Sequence, residues 1–172
     1  MTPTDVTVHI IQGENAISES KETVLTTVLG SCVSACLFDP QRQIGGMNHF
    51  LLPESGADQG TSDLRYASAA MERLVNALLK AGATRSHLRA KLFGGASMMA
   101  GLPDIGRRNG EAALNFLKTE GIPCISMSLG GHAARRVRFW PASGRALQLL
   151  LAPDTSDPAV RSPPKPGGVE LF

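Results

Sequence analysis

A cysteine and a histidine close together in the chain are the residues best suited to chemistry. Cys32 follows a Gly-Ser pair that favours a turn, and His49 ends a run that begins with Gly45 and Gly46. A thiol becomes a strong nucleophile only when a base removes its proton, because the thiolate is a minority species near neutral pH. The stretch between the two residues is long enough to reverse direction. The spacing therefore predicts a thiolate–imidazole ion pair, as in cysteine hydrolases and transferases.

The same residue types also have a purely structural interpretation. Free cysteines are among the most buried residues and often act as small apolar side chains. His49 precedes Phe50 and Leu51, so it also fits a position in the core or at its rim. Cys36 and Cys124 suit the core better than a metal site, because zinc sites use closely spaced pairs of Cys and His that this sequence lacks. We expect no metal and no cofactor.

Five short segments together carry a more specific signal than any one of them. They are residues 26–32 (TTVLGSC), 45–53 (GGMNHFLLP), 90–98 (AKLFGGASM), 105–109 (IGRRN) and 130–135 (GGHAAR). In this order they resemble the chemoreceptor glutamine deamidases, the CheD family, over most of the chain. One departure is His132, which stands where the resemblance leads us to expect Asn.

The resemblance implies a catalytic set of three residues. The nucleophile falls on Cys32, the base on His49 and a threonine that orients the imidazole on Thr26. It also implies the reaction, which converts particular glutamines on the helical cytoplasmic part of methyl-accepting chemoreceptors to glutamates. Hydrolysis of receptor methyl esters would use the same acyl-enzyme intermediate. The implied fold is a layered α/β sandwich.

Acyl transfer also needs hydrogen-bond donors for an oxyanion and a surface that holds the substrate. Gly30 lets the chain turn, so the backbone amides of Ser31 and Cys32 are the candidate donors. The basic pair Arg135 and Arg136 is a candidate docking site for an acidic receptor helix. A solvated surface without a partner is the equally simple alternative for this pair.

Size and composition favour a single domain in a reducing compartment. The chain has 172 residues, of which 42% are hydrophobic, and it contains no apolar run of the roughly 18 residues that a membrane span needs. Its first residues lack the pattern of a signal peptide, and an odd count of 3 cysteines argues against a disulfide framework. A net charge of +2 with one Trp and one Tyr gives no indication of nucleic-acid binding. We therefore expect a cytoplasmic protein that does not insert into membranes.

Hydrophobic periodicity predicts the elements that position these residues. Strands are expected at 5–11, 23–28, 44–52, 88–93 and 122–129, and a hairpin from 137–140 and 146–151, whereas 33–38 fits a strand or a short helix. One helix is expected from Leu64, capped by Ser62 or Asp63, and another over 109–120, capped by Asn109; 13–21 and 55–62 are predicted loops. Together they predict an α/β layered sandwich of mixed or antiparallel sheet with a few helices. Residues 1–153 would form the single domain, and 154–172 a flexible Pro/Gly-rich tail whose apolar end docks on the domain or a partner.

The alternative is a binding function, which would depend on the protein surface and not on Cys32. Members of the resembled family can partner a CheC-type phosphatase, so a binding regulator is the alternative to an enzyme. Normal regulation by a Cys32→Ala protein would favour that class.

Overall fold

The computed structural model describes residues 5–52, 59–98, 104–152 and 168–172, with the backbone alone for residues 59–64. The strands are β1 (Val6–His9), β2 (Asn15–Ser18), β3 (Thr23–Leu29), β4 (Val33–Asp39), β5 (Ile44–Asn48), β6 (Arg89–Gly94), β7 (Cys124–Leu129), β8 (Arg135–Trp140), β9 (Arg145–Leu150) and β10 (Val169–Leu171). The helices are α1 (Gln59–Lys80) and α2 (Ile105–Glu120), with a short 3-10 helix at Arg85–His87.

The strands form two sheets that lie face to face. The outer sheet has the strand order β1-β3-β8-β9-β10, and the central sheet has the order β2-β5-β4-β6-β7. Pairing is antiparallel except for β1 with β3 and β6 with β7, which are parallel. Both helices pack on the central sheet. The predicted layered α/β sandwich with mixed sheets is confirmed.

The central sheet is covered on both faces, which explains the sequence of β4. One apolar cluster, with Leu25, Met47 and Phe139, fills the space between the sheets, and a second one lies under the helices. Every residue of β4 is buried. Strands buried on both faces carry continuous apolar runs with no alternation, so periodicity left strand and helix open at 33–38.

Both predicted helix starts are wrong, because each helix begins several residues before the apolar stripe that predicted it. Helix α1 starts at Gln59, ahead of the Ser62 or Asp63 cap that we predicted. Helix α2 starts after Asp104, whose side chain accepts a hydrogen bond from Arg107 N at 3.0 Å. Polar residues on the solvent side of a helix carry no apolar period, so the start cannot be read from periodicity. Neither helix of the described chain is long and apolar enough to cross a membrane.

The predicted loop at 13–21 contains a strand. Residues Asn15–Ser18 form β2, which pairs antiparallel with β5 at the edge of the central sheet. This strand depends on pairing with distant residues, so its polar local sequence does not reveal it. The other predicted loop, 55–62, is helical from Gln59 onward, and residues 53–58 lie outside the described part.

The last residues of the chain dock on the domain itself. Strand β10 pairs with β9, and the ring of Phe172 packs edge-on against Phe93 with 5.2 Å between ring centroids. The buried Lys91 donates a hydrogen bond from Nζ to the carbonyl oxygen of Phe172 at 2.8 Å. The remainder of the predicted tail, residues 154–167, lies outside the described residues.

Candidate active site

Strand register brings Cys32 and His49 to the same face of the central sheet. Val33 and Phe50 exchange two backbone hydrogen bonds of 3.0 and 2.9 Å, in register with the β4–β5 ladder. Cys32 therefore lies opposite Leu51, and His49 is its diagonal neighbour. Backbones of diagonal neighbours are about 7–8 Å apart, within reach of longer side chains. Cys32 packs against the apolar cluster between the sheets, so this shared face is the one turned toward the outer sheet.

The ring of His49 is held in one tautomer by a threonine of the outer sheet. Thr27 Oγ1 lies 2.7 Å from His49 Nδ1 and donates its own proton to the carbonyl oxygen of Ile10, also at 2.7 Å. Because a hydroxyl has one proton, Thr27 must accept the Nδ1–H of the ring. The lone pair of the imidazole is then on Nε2. A nearly buried histidine with a free Nε2 lone pair is suited to act as a base.

Thr27 holds the position that the sequence analysis gave to Thr26, and the structure corrects that prediction. Thr26 Oγ1 instead donates to the carbonyl oxygen of Val137 at 2.8 Å. Successive side chains of a strand point to opposite faces, so only one of two adjacent threonines can face the site. Leu25 and Leu29 both point into the core between the sheets. Val24 and Val28 flank Thr26 in the same way as the leucines flank Thr27, so the sequence alone does not show which threonine faces the site.

The segment after β6 forms backbone hydrogen bonds with the turn that carries Cys32. Ala96 N donates to Gly30 O at 3.0 Å, and Gly95 N donates to Cys32 O at 2.9 Å. Gly94 has φ +109, and a Cβ at this position would collide with Cys32 O. Gly94 must therefore remain glycine for the turn to sit where it does.

Asn109 links the two segments that carry the candidate nucleophile and base, and the sequence analysis missed this role. Its Nδ2 donates to the carbonyl oxygen of Ser31 at 2.7 Å, and its Oδ1 accepts from Leu52 N at 2.9 Å. The side chain is fully buried inside α2, so it is not the predicted helix cap. Asn in the interior of a helix, here followed by Gly110, has a low helix propensity. This unfavourable placement was the signal in the sequence that Asn109 has another structural role.

Burial at the site favours the neutral forms of the Cys32 thiol and the His49 imidazole. Burial raises the pKa of the Cys32 thiol, and the backbone N–H of Cys32 offsets part of this effect. Burial also lowers the pKa of His49, partly countered by its contact with the backbone at Ile10. Both shifts oppose the ion pair that the sequence predicted. Burial therefore shifts both groups toward their neutral forms.

Of the two arginines predicted to bind substrate, one is part of the core. Arg135 is 3% exposed and donates from its guanidinium to Ser128 O at 2.6 Å and to Gly130 O. These bonds tie the end of β7 to the outer sheet, and the guanidinium is too buried to contact a partner, contrary to that prediction. Arg136 is exposed on the neighbouring position of β8.

The side chains of His49 and Arg136 share a cleft. Its volume is about 290 Å³, and Gln12, Thr26 and Thr27 also line it. A larger cleft of about 410 Å³ lies between the start of α2 and the glycine turns after β6 and β7, with His132 at its rim. His132 Nδ1 lies 3.2 Å from Ser97 O, away from His49. In the described residues, no three His, Cys, Asp or Glu side chains gather as a metal site would require.

Comparison with known proteins identifies the family. The family profile described as CheD chemotactic sensory transduction matches residues 51–148. The chain belongs to the CheD family. A relative from Caulobacter vibrioides, named probable chemoreceptor glutamine deamidase CheD, is 51% identical over 97% of this chain and 94% of its own length. One of the same name from Acidiphilium cryptum is 51% identical over 96% of this chain and 93% of its own.

Among solved structures, the CheD chain is similar to a Bacillus licheniformis protein described as hypothetical protein YfiH. The identity is 15%, the TM-score is 0.45, and the match covers 74% of this chain and 60% of the other. Likeness at this level has no bearing on function. The family profile begins after His49, so the matched residues do not include Cys32.

Proposed function

We propose that this CheD protein is a cysteine-dependent protein-glutamine deamidase, a glutaminase that acts on methyl-accepting chemotaxis receptors. It would convert particular glutamines of their cytoplasmic helical region to glutamates during chemotaxis adaptation, in the cytoplasm. Two nearly full-length relatives bear the name of that activity. The observation that carries the proposal is the base: His49 bound at Nδ1 by Thr27, with Nε2 free, at the diagonal position from Cys32.

The first half of the reaction makes a thioester. His49 Nε2 takes the proton of the Cys32 thiol, and the sulfur attacks the carboxamide carbon, so that a C–S bond forms and the carbonyl π pair moves onto oxygen. When the oxyanion collapses, the carbonyl re-forms and the C–N bond breaks. The imidazolium gives its proton to the departing nitrogen, which leaves as ammonia.

The second half returns the enzyme to its starting state. His49 removes a proton from water, and the water oxygen attacks the thioester carbon. Collapse of this second oxyanion breaks the C–S bond, leaves glutamate on the receptor and returns the proton to the sulfur. No hydrogen bond joins Cys32 Sγ to His49 among the described residues. Catalytic hydrogen bonds are often long before substrate binds, so the two groups would close on the substrate.

The decisive test is mass spectrometry of a purified cytoplasmic receptor fragment before and after incubation. The wild-type protein should convert specific glutamines to glutamates and release one ammonia per site. Cys32→Ala and His49→Ala should each lose this activity while keeping the wild-type thermal unfolding profile. Conversion at the native rate by Cys32→Ala would overturn the proposal, and would favour the alternative of a binding regulator for a CheC-type phosphatase.

Arg136 is the proposed contact for the acidic surface of the receptor. It is exposed and lines the same cleft as His49 and Gln12. Arg136→Ala should weaken receptor binding and reduce its dependence on salt, because a screened attraction is lost. Arg135→Ala is the matched control and should lower the unfolding temperature, since it empties a buried hydrogen-bond network. If the affinity of the wild-type protein for the receptor does not change with ionic strength, this contact is ruled out.

A further inference from the structure

The side-chain amide of Gln12 reaches the sulfur of Cys32. Gln12 Oε1 lies 4.0 Å from Cys32 Sγ, and Gln12 lines the cleft that His49 enters. In the described chain this is the only side-chain polar contact of the sulfur. Gln12 takes no part in the proton transfers of the proposed mechanism.

The turn that carries Gln12 is fixed to the backbone of the base. Gly13 N donates to His49 O at 2.8 Å, and His49 N donates to Glu14 O at 3.2 Å. The turn is closed on itself by Ile11 N, which donates to Glu14 Oε1 at 3.1 Å. Gln12 is thus an exposed residue on a rigidly placed backbone, and its side chain extends over the thiol. Groups that stabilise a transition state need this kind of support.

A primary amide can serve the sulfur in both of its charge states. The neutral thiol donates S–H to Oε1, which is the contact seen here. Rotating the amide by half a turn puts Nε2, with two N–H donors, in the same place. The oxyanion oxygen of the intermediate sits two bonds from the sulfur, so an amide placed over Sγ is within hydrogen-bond reach of it.

We propose that Gln12 is a further catalytic residue, whose Nε2–H donates a hydrogen bond to the oxyanion formed when Cys32 attacks a carbonyl carbon. The inference rests on the proposed acyl-transfer function of Cys32. Gln12 would complete an oxyanion hole together with backbone amides of the Gly30–Cys32 turn. Removing one donor of this type reduces turnover by about 10²-fold in a well-studied hydrolase.

Two reactions of Cys32 distinguish an oxyanion donor from a residue that only supports the structure around the thiol. Acetylation by 4-nitrophenyl acetate passes through a tetrahedral oxyanion: the C–S bond forms, then the C–O bond to 4-nitrophenolate breaks. Alkylation by iodoacetamide displaces iodide from a saturated carbon and forms no oxyanion. Gln12→Ala should slow the burst of 4-nitrophenolate at least about tenfold and leave alkylation of Cys32, followed by peptide mass spectrometry, unchanged.

Two variants serve as controls. Gln12→Glu has nearly the same shape but no N–H donor, so it should not restore the burst. Gln41→Ala removes an exposed glutamine beyond the opposite end of β4 and should match wild type in both reactions. Receptor deamidation by Gln12→Ala should show a fall of about 10²-fold in kcat with little change in KM.

Several results would overturn the inference. One is a wild-type burst in Gln12→Ala or in Gln12→Glu; another is an equal loss of acetylation and alkylation, which would mean that Gln12 acts on the thiol itself. A loss confined to KM would assign Gln12 to substrate binding. If wild-type protein leaves the receptor fragment unchanged, the proposed substrate is wrong, and the ratio of acetylation to alkylation still decides the role of Gln12.

Discussion

At the scale of single residues, the site depends on which of two identical side chains faces the imidazole. Thr27 accepts the Nδ1–H of His49 because its own proton is already given to Ile10 O. Thr26, one residue earlier, gives its proton to Val137 O on the opposite side of β3. Both hydroxyls are buried and hydrogen-bonded, so they should contribute similarly to stability and differently to catalysis.

The pair Thr27→Val and Thr26→Val tests this difference. Each substitution removes one buried hydroxyl and should cost about 1 kcal/mol of unfolding free energy. Thr27→Val also frees the imidazole to rotate and change tautomer, so kcat for receptor deamidation should fall about tenfold or more. Thr26→Val should retain activity within about threefold of wild type. Equal losses of activity in the two variants would mean that the threonine contact does not orient the base.

At the scale of elements, the site depends on a close approach between the end of β6 and the turn before β4. Gly94 leaves room for Cys32 O, and Gly95 N donates to that oxygen at 2.9 Å. On the helix side, Asn109 of α2 spans from Ser31 O to Leu52 N. The candidate nucleophile is therefore placed by a strand end and by a helix that are distant from it in sequence.

Replacing glycine at two positions with similar backbone angles separates the effect of the close contact with Cys32 O from the effect of backbone strain. Gly94 has φ +109 and faces Cys32 O, whereas Gly82 has φ +111 and meets nothing within 4 Å. Gly82→Ala should cost about 1 kcal/mol of stability through backbone strain alone and leave deamidation intact. Gly94→Ala adds a collision with Cys32 O, so it should destabilise the protein further and reduce deamidation strongly. The comparison uses thermal unfolding and ammonia release, and full activity in Gly94→Ala would refute the close approach.

At the scale of the whole molecule, three layers are joined partly by the end of the chain. Strand β10 adds to the outer sheet, while the Phe172 ring contacts Phe93 of the central sheet. The carbonyl oxygen of Phe172 also accepts the hydrogen bond of the buried Lys91 ammonium, whose pKa burial lowers. The last residue thus connects the two sheets that enclose the site.

Substitutions at the chain end test this connection. Phe172→Ala keeps the backbone acceptor for Lys91 but removes a partly buried ring, and should cost about 1–3 kcal/mol of unfolding free energy. Leu171→Ala changes a side chain that is 67% exposed and should stay within about 0.5 kcal/mol of wild type. Denaturant titration distinguishes the two. Equal, small effects would indicate that the ring contributes nothing to holding the sheets together.

Much of the architecture was predictable from short stretches of sequence. The hairpin of β8 and β9, the strands around 23–29 and 89–94 and the two helices follow from local apolar periods and turn residues. Strand β2 and the helix starts did not follow, because pairing with distant residues or exposure to solvent determines them. The order of the five resembling segments indicated the family, and comparison with known proteins confirmed it.

By itself, the sequence determined which residues can do chemistry and which segments alternate or run apolar, because these are properties of residue types and of neighbours along the chain. Only the tertiary structure decided that Thr27, not Thr26, meets His49, that Arg135 is buried while Arg136 is exposed, and that Gln12 and Asn109 reach the Cys32 turn. Each of these depends on the face that a strand or helix turns to its neighbours. That face is set by packing between segments far apart in sequence.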